Sequence, residues 1–182
     1  MIIGITGLIA SGKSTATEYL VKQHDYQELA FANALKYACM EIFGLDKQQV
    51  FGTQKDKETI DTFWKVSPRQ LLQIVGSAIR GLGTIFPQLT HIWVKRVERN
   101  IKKIIETDKK IIVSDVRYSD EAKMILDMGG IIIKIKRLDA ENNRDLHESE
   151  NQIIFANYII YNDTTKKYVY DELDKIILAN LI

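Results

Sequence analysis

This chain is poor in cysteine, in proline and in net charge. Cys39 is its only cysteine, so no intrachain disulfide can form and no cysteine-built zinc cage is available. Such a chain suits a reducing compartment, and a cytoplasmic location is expected (the host cytoplasm for a viral protein). Pro68 and Pro87 are the only prolines, and no proline-rich linker, low-complexity tract or internal repeat marks a domain boundary. The formal net charge is +1, which argues against a nucleic-acid polymer or an acidic membrane as partner. No apolar run approaches a membrane span; Ile131-Ile132-Ile133 ends at Lys134. The apolar N-terminus has no basic leader, so no secretory signal is expected. With 182 residues, 46% hydrophobic and 27% charged, one globular domain spanning residues 1–182 is expected.

What the chain does have is Gly7-Leu8-Ile9-Ala10-Ser11-Gly12-Lys13-Ser14. This run matches G-x-x-x-x-G-K-[ST] at every fixed position. Ile2, Ile3 and Ile5 before it suit a short buried strand, and Ser14 to Lys22 after it suit a helix. Strand, glycine loop and helix in that order form the context in which the motif becomes a phosphate loop. Its backbone N–H groups, from Leu8 to Thr15, form a concave anion site, reinforced by the positive end of the following helix. Lys13 can reach the β- and γ-phosphates, and the Ser14 hydroxyl can bind Mg²⁺. The loop predicts binding of a nucleoside triphosphate.

Further along, Tyr26–Phe31 reads as a strand and Ala32–Phe43 as a helix stopped by Gly44. Leu45–Val66 is uneven. Asp46 can cap a short helix there, and Gly52–Asp61 is expected to be a surface connection. Ser67-Pro68 starts a helix that Gly81 and Gly83 are expected to end. His91–Glu106 and Asp120–Met128 read as helices, and Lys110–Asp115, Ile131–Ile135 and Tyr158–Tyr161 as strands. Asn162-Asp163 is a turn before a helix from Lys167 to Leu181. Strands alternating with helices predict a parallel sheet covered on both faces, with ligands beyond the carboxyl ends of its strands. The phosphate loop, Asp115, Arg137 and Asn162 all follow strand ends. Helices inserted over roughly 32–107 can form a substrate-binding wall, and roughly 137–150 a lid.

Asp115 can organise Mg²⁺, directly or through water, or cap the next helix. Arg117 can grip phosphate or pair with a neighbouring acid. Arg69, Gln73, Ser77 and Arg80, at offsets of four, four and three, lie on adjoining parts of one helix face; that face suits a phosphate and a base edge, or plain solvent. Trp93 can stack on a base or fill the core, and Lys36 can face phosphate or solvent. Arg137 and Arg144 can stabilise charge in a transferring phosphoryl group or simply belong to an exposed charged loop. His147 reads as an orienting or capping residue.

Together these motifs resemble the P-loop deoxynucleoside monophosphate kinases of large DNA viruses and bacteriophages. The resemblance runs in order through Gly7–Ser14, Phe31-Ala32-Asn33-Ala34-Leu35-Lys36, Arg69-Gln70-Leu71-Leu72-Gln73 with Gly76 and Arg80, Trp93-Val94, Asp115-Val116-Arg117, Gly129-Gly130, Arg137, His147-Glu148-Ser149-Glu150 and Asn162-Asp163. It implies a three-layer α/β P-loop NTPase fold with a helical insertion and a lid. It also implies Mg²⁺-assisted transfer of the ATP γ-phosphoryl group to a deoxynucleoside monophosphate. Lys13, Asp115, Arg117 and Arg137 would be catalytic. Asn162, Asp163 and Thr164 would lie by the donor adenine, and Lys36, Arg69, Gln73, Arg80, Trp93, Arg117 and Arg144 would bind the monophosphate. The resemblance leaves room for a homodimer. Rival readings are a dephospho-coenzyme A or phosphomevalonate type of kinase, a nucleotide-dependent switch, for which no Asn-Lys-x-Asp guanine motif is found, and a nucleic-acid-dependent ATPase.

Overall fold

A computed structural model describes residues 1–138 and 153–180. They form two compact units, one of residues 1–30 and 97–180, the other of residues 31–96.

The first unit is built on five parallel strands, β1 (Ile2–Thr6), β2 (Tyr26–Leu29), β3 (Lys110–Val113), β4 (Ile131–Lys136) and β5 (Tyr158–Tyr161), in the order β2-β3-β1-β4-β5. The central strand pairs Ile2 with Ile111 on one side and Ile3 with Ile131 on the other. All five residues of β1 are buried, which explains why it reads as a continuous apolar run rather than an alternating one. Successive side chains point to opposite faces. Ile3, Ile5, Ile112, Ile133 and Ile135 join Leu20 of α1 (Lys13–His24) and Leu173 of α8 (Lys166–Ala179) in one cluster. On the other face, a Cβ at Gly4 would meet Ile132, Val116 and Ile125 of α7 (Ser119–Asp127). Helix, sheet and helix are thus the three layers. Each fully buried isoleucine contributes about 1.5–3 kcal/mol of hydrophobic stabilisation.

The second unit contains α2 (Ala32–Phe43), α3 (Lys47–Phe51), α4 (Gln54–Glu58), α5 (Pro68–Ile85), a single 3-10 turn at Pro87–Leu89 and the start of α6 (Ile92–Ile105). Cys39, Leu45, Val50 and Leu71 form its buried core. Asp46 caps α3 in a reciprocal box with Gln49, and Ser67 caps α5 with Gln70, as the side chains at those positions dictate.

Two expectations are corrected here. Gly52–Asp61 is not a plain connection: Thr53 and Asp56 form a third capping box, and α4 follows it. Gly81 and Gly83 do not end α5, which continues to Ile85 and stops before Pro87. Gly83 is there for proximity, because a Cβ on it would lie 2.9 Å from Thr90 Cα. Among the described residues no helix is long and apolar enough to cross a membrane.

Candidate active site

The strand-to-helix turn after β1 is shaped by two glycines that no other residue can replace. Gly7 has φ of 145°, and a Cβ there would lie 2.2 Å from the Ile135 carbonyl oxygen. Gly12 has φ of 104°, and its Cβ would lie 2.2 Å from Asn162 Nδ2. Between them Ser11 N donates to Leu8 O at 3.2 Å, and Ala10 takes φ of 64°. Gly12 stands at the N-cap of α1 without a side chain to cap the first turn, which leaves that turn suited to an anion. Lys13 Nζ donates to Gly7 O and Leu8 O, both at 2.6 Å. The loop carbonyls therefore hold the cation beside the turn.

A cavity of about 620 Å³ opens over this turn. It is lined by Ala10, Gly12, Lys13, Ser14, Thr15, Arg137, Leu138, Asn162, Asp163, Thr164 and Lys166. The parallel sheet is what collects them: the loop follows β1, Arg137 follows β4, and Asn162 follows β5, all at the carboxyl ends. Asn162 N donates to Lys136 O at 2.7 Å and Asn162 Nδ2 to Ser11 O at 2.9 Å. Leu138 N donates to Asp163 Oδ1 at 2.9 Å. Of the phosphate-loop residues singled out from the sequence, Leu8, Ile9 and Ser11 do not line the cavity. Ser11 is buried, and its hydroxyl has no hydrogen-bond partner among the described residues. Leu138 and Lys166 are lining residues that sequence reasoning missed. Lys166 opens α8 directly after the Thr165 cap, and a lysine following the Asn162-Asp163 turn was the signal available for it.

Asp115 and Arg117 lie past the end of β3, the neighbour of β1, and neither lines the cavity. Their segment is pinned from both sides: Ser114 N donates to Leu29 O and Val116 N to Ile5 O. The buried Glu121 accepts from Arg117 N at 2.8 Å and Tyr118 N at 3.1 Å. Glu121 thus serves the start of α7, and Asp115 is half-buried past the end of β3.

Of the expected acceptor residues, Lys36, Arg69, Gln73, Arg80 and Trp93 belong to the second unit and Arg117 to the first. Arg69 Nη2 donates to Gln54 Oε1 at 2.6 Å, and its Nε lies 3.5 Å from Glu58, so α4 holds this guanidinium. Gln73 and Arg80 are half-buried on α5, Ser77 is exposed, and Trp93 is half-buried at the start of α6. Lys36 Nζ sits 4.8 Å from the centre of the Phe51 ring. Arg144, His147, Glu148, Ser149, Glu150 and the lid beyond Leu138 lie outside the described residues.

No group of three or more His, Cys, Asp or Glu side chains converges among the described residues. Ser14 lines the cavity beside Lys13.

A parallel sheet whose central strand runs through a phosphate loop into a helix, with the cavity at its carboxyl edge, defines the P-loop NTPase fold. Solved structures share this fold: TT1252 from Thermus thermophilus (19% identity, TM-score 0.52, covering 100% of this chain and 98% of that one) and dephospho-CoA kinase from Campylobacter jejuni (16%, 0.51, 97% and 95%). The shikimate kinase of Aquifex aeolicus does so too (14%, 0.52, 100% and 99%). The family model for deoxynucleotide monophosphate kinase matches residues 48–173. A protein of Acanthamoeba polyphaga mimivirus with the provisional name deoxynucleotide monophosphate kinase is 34% identical, over 95% of this chain and 94% of its own length. The chain belongs to the deoxynucleotide monophosphate kinase family.

Proposed function

We propose that the protein transfers the γ-phosphoryl group of ATP to the phosphate of a deoxynucleoside monophosphate, giving the diphosphate and ADP. The observation that carries this reading is the phosphate loop opening on a cavity shared with Arg137 and the Asn162–Thr164 turn, in a chain of this family. An acceptor phosphate oxygen attacks the γ-phosphorus, the bond to the β-bridging oxygen breaks, and ADP leaves with that electron pair. The attacking oxygen is already a nucleophile, so no catalytic base is required. Positioning and charge neutralisation carry the rate.

In this reading Leu8 to Thr15 cradle the donor phosphates, and Lys13 gives up the Gly7 and Leu8 carbonyls to bind them. Arg137 neutralises charge on the transferring group, and Asp163 and Thr164 lie towards the donor nucleoside. Ser14 and Asp115 would hold Mg²⁺, directly or through water, and the ion would shield the phosphate oxygens. Gln73, Arg80, Trp93, Lys36 and Arg69 recognise the acceptor, with Arg117 and Arg144 adding charge to its phosphate. Arg69 acts with its geometry preset by Gln54 and Glu58. The 31–96 unit and the segment from Arg137 to Glu150 serve as acceptor-binding insertion and lid.

The test is an acceptor panel with ATP and Mg²⁺: the four common deoxynucleoside monophosphates, their ribonucleotide counterparts and dephospho-coenzyme A. Diphosphate formation from at least one deoxynucleotide is expected. Turnover of another acceptor with none of the deoxynucleotides would refute the proposal.

A further inference from the structure

We infer that Asn162 is a positioning residue for the phosphate loop and not a contact for the donor base. The inference rests on the donor site proposed above and reassigns one of its members. Asn162 is fixed at its backbone, where its N–H donates to Lys136 O at 2.7 Å at the end of the β4–β5 ladder. From that anchor its Nδ2 donates to Ser11 O at 2.9 Å. The same nitrogen sits so close over Gly12 that a Cβ there would lie 2.2 Å from it. The carboxamide therefore rests on the loop at the residue before Lys13.

Within the loop, Ser11 N donates to Leu8 O and Lys13 Nζ to Gly7 O and Leu8 O; Asn162 adds a hold from outside, at the Ser11 carbonyl. The Ser11 hydroxyl is buried without a hydrogen-bond partner among the described residues. A loop that offers backbone N–H groups to phosphate works best when they are held in place before binding, because ordering a mobile loop subtracts from affinity. Asn162 provides that hold from the far end of the sheet, across two strand positions. The next residue extends the brace: Asp163 Oδ1 accepts from Leu138 N, which fixes the segment carrying Arg137. One turn thus sets the phosphate cradle and the root of the cationic arm in common register.

The test separates phosphate from base. Asn162→Ala and the neutral, similarly sized Asn162→Leu are compared with the wild type for binding of ATP and of inorganic tripolyphosphate, which has no base, by calorimetry. Circular dichroism and melting check that each variant is folded. Loss of this half-buried hydrogen bond predicts weakening of up to about tenfold, by the same factor for both ligands. Weakened ATP binding with wild-type tripolyphosphate binding would overturn the inference in favour of a base contact. Unchanged binding of both would overturn it as well. A wild-type protein that binds no ATP would sink the donor site itself, a result distinct from either.

Discussion

Lys13 contributes charge and little packing. It is half-exposed, and its Nζ is satisfied by two carbonyls of its own loop. Removing it leaves those carbonyls near a solvent-filled cavity rather than in a sealed core. Lys13→Ala should therefore lower kcat by about a thousandfold, the scale of losing one charge-stabilising donor, while the melting temperature stays close to that of the wild type. A coupled transfer assay and a thermal melt measure the two. Arg80 poses the complementary question. As an acceptor contact, Arg80→Ala should raise KM for the monophosphate about tenfold or more and leave ATP affinity unchanged; equal losses for both substrates would remove it from the acceptor site. Arg69 is less clean as a probe, because its guanidinium also ties α5 to Gln54 and Glu58 of α4.

At the scale of elements, α5 carries two glycines with opposite prospects. Nothing lies within 4 Å of a Cβ added at Gly81, whereas one at Gly83 would press on Thr90 at 2.9 Å from Cα and 3.2 Å from N. Gly81→Ala should stabilise the protein by roughly 0.5–1 kcal/mol, the helix-interior preference for alanine. Gly83→Ala should destabilise it by about 1–3 kcal/mol, the usual cost of overpacking. Urea unfolding of the two variants checks both signs. The same pair marks where sequence reading stops. Gly44 ends α2 with φ of 64°, and from sequence Gly81 and Gly83 look no different. Their actual conformation depends on how closely the 3-10 turn after α5 folds back, and that is a tertiary fact. The phosphate loop was legible because its requirements are local: two glycines, a lysine and a serine within one turn. The caps at Asp46 and Ser67 were legible for the same reason, while their Gln49 and Gln70 partners and the Thr53-x-x-Asp56 box were not read from the sequence. The cavity's far wall was legible only in part. Strand ends placed Arg137 and Asn162 at the right edge, and the only local sign of Lys166 was its place after the Asn162-Asp163 turn; nothing local identified the grip of Asn162 on Ser11.

For the molecule as a whole, two tyrosines set an alkaline limit to stability. Burial, and after it the Asp174 carboxylate, push Tyr19 up to about 12, and burial alone pushes Tyr26 up to about 12. An unfolded chain ionises these phenols near pH 10. The folded state binds their protons more tightly, so their contribution is complete below pH 10 and disappears as pH rises from about 10 to 12. The double variant Tyr19→Phe, Tyr26→Phe should show a shallower loss of stability across that window than the wild type. Denaturant midpoints at a series of pH values measure the difference, and parallel curves would rule the tyrosines out as its cause.

The strand order carries a consequence for how the protein is made. β1, the centre of the sheet, leaves the ribosome well before its partners, which begin at Lys110 and Ile131. Ile2 cannot meet Ile111 until the intervening chain has been made, and each such pairing closes a very long loop. Such non-local contacts slow folding. While it waits, an isoleucine-rich strand with unpaired backbone groups on both sides is an aggregation hazard. The helices of residues 31–96, whose core of Cys39, Leu45, Val50 and Leu71 lies within that stretch, can form during that wait. Nascent chains stalled before Lys110 should therefore show protease-protected helix in 31–96 and an unprotected N-terminus.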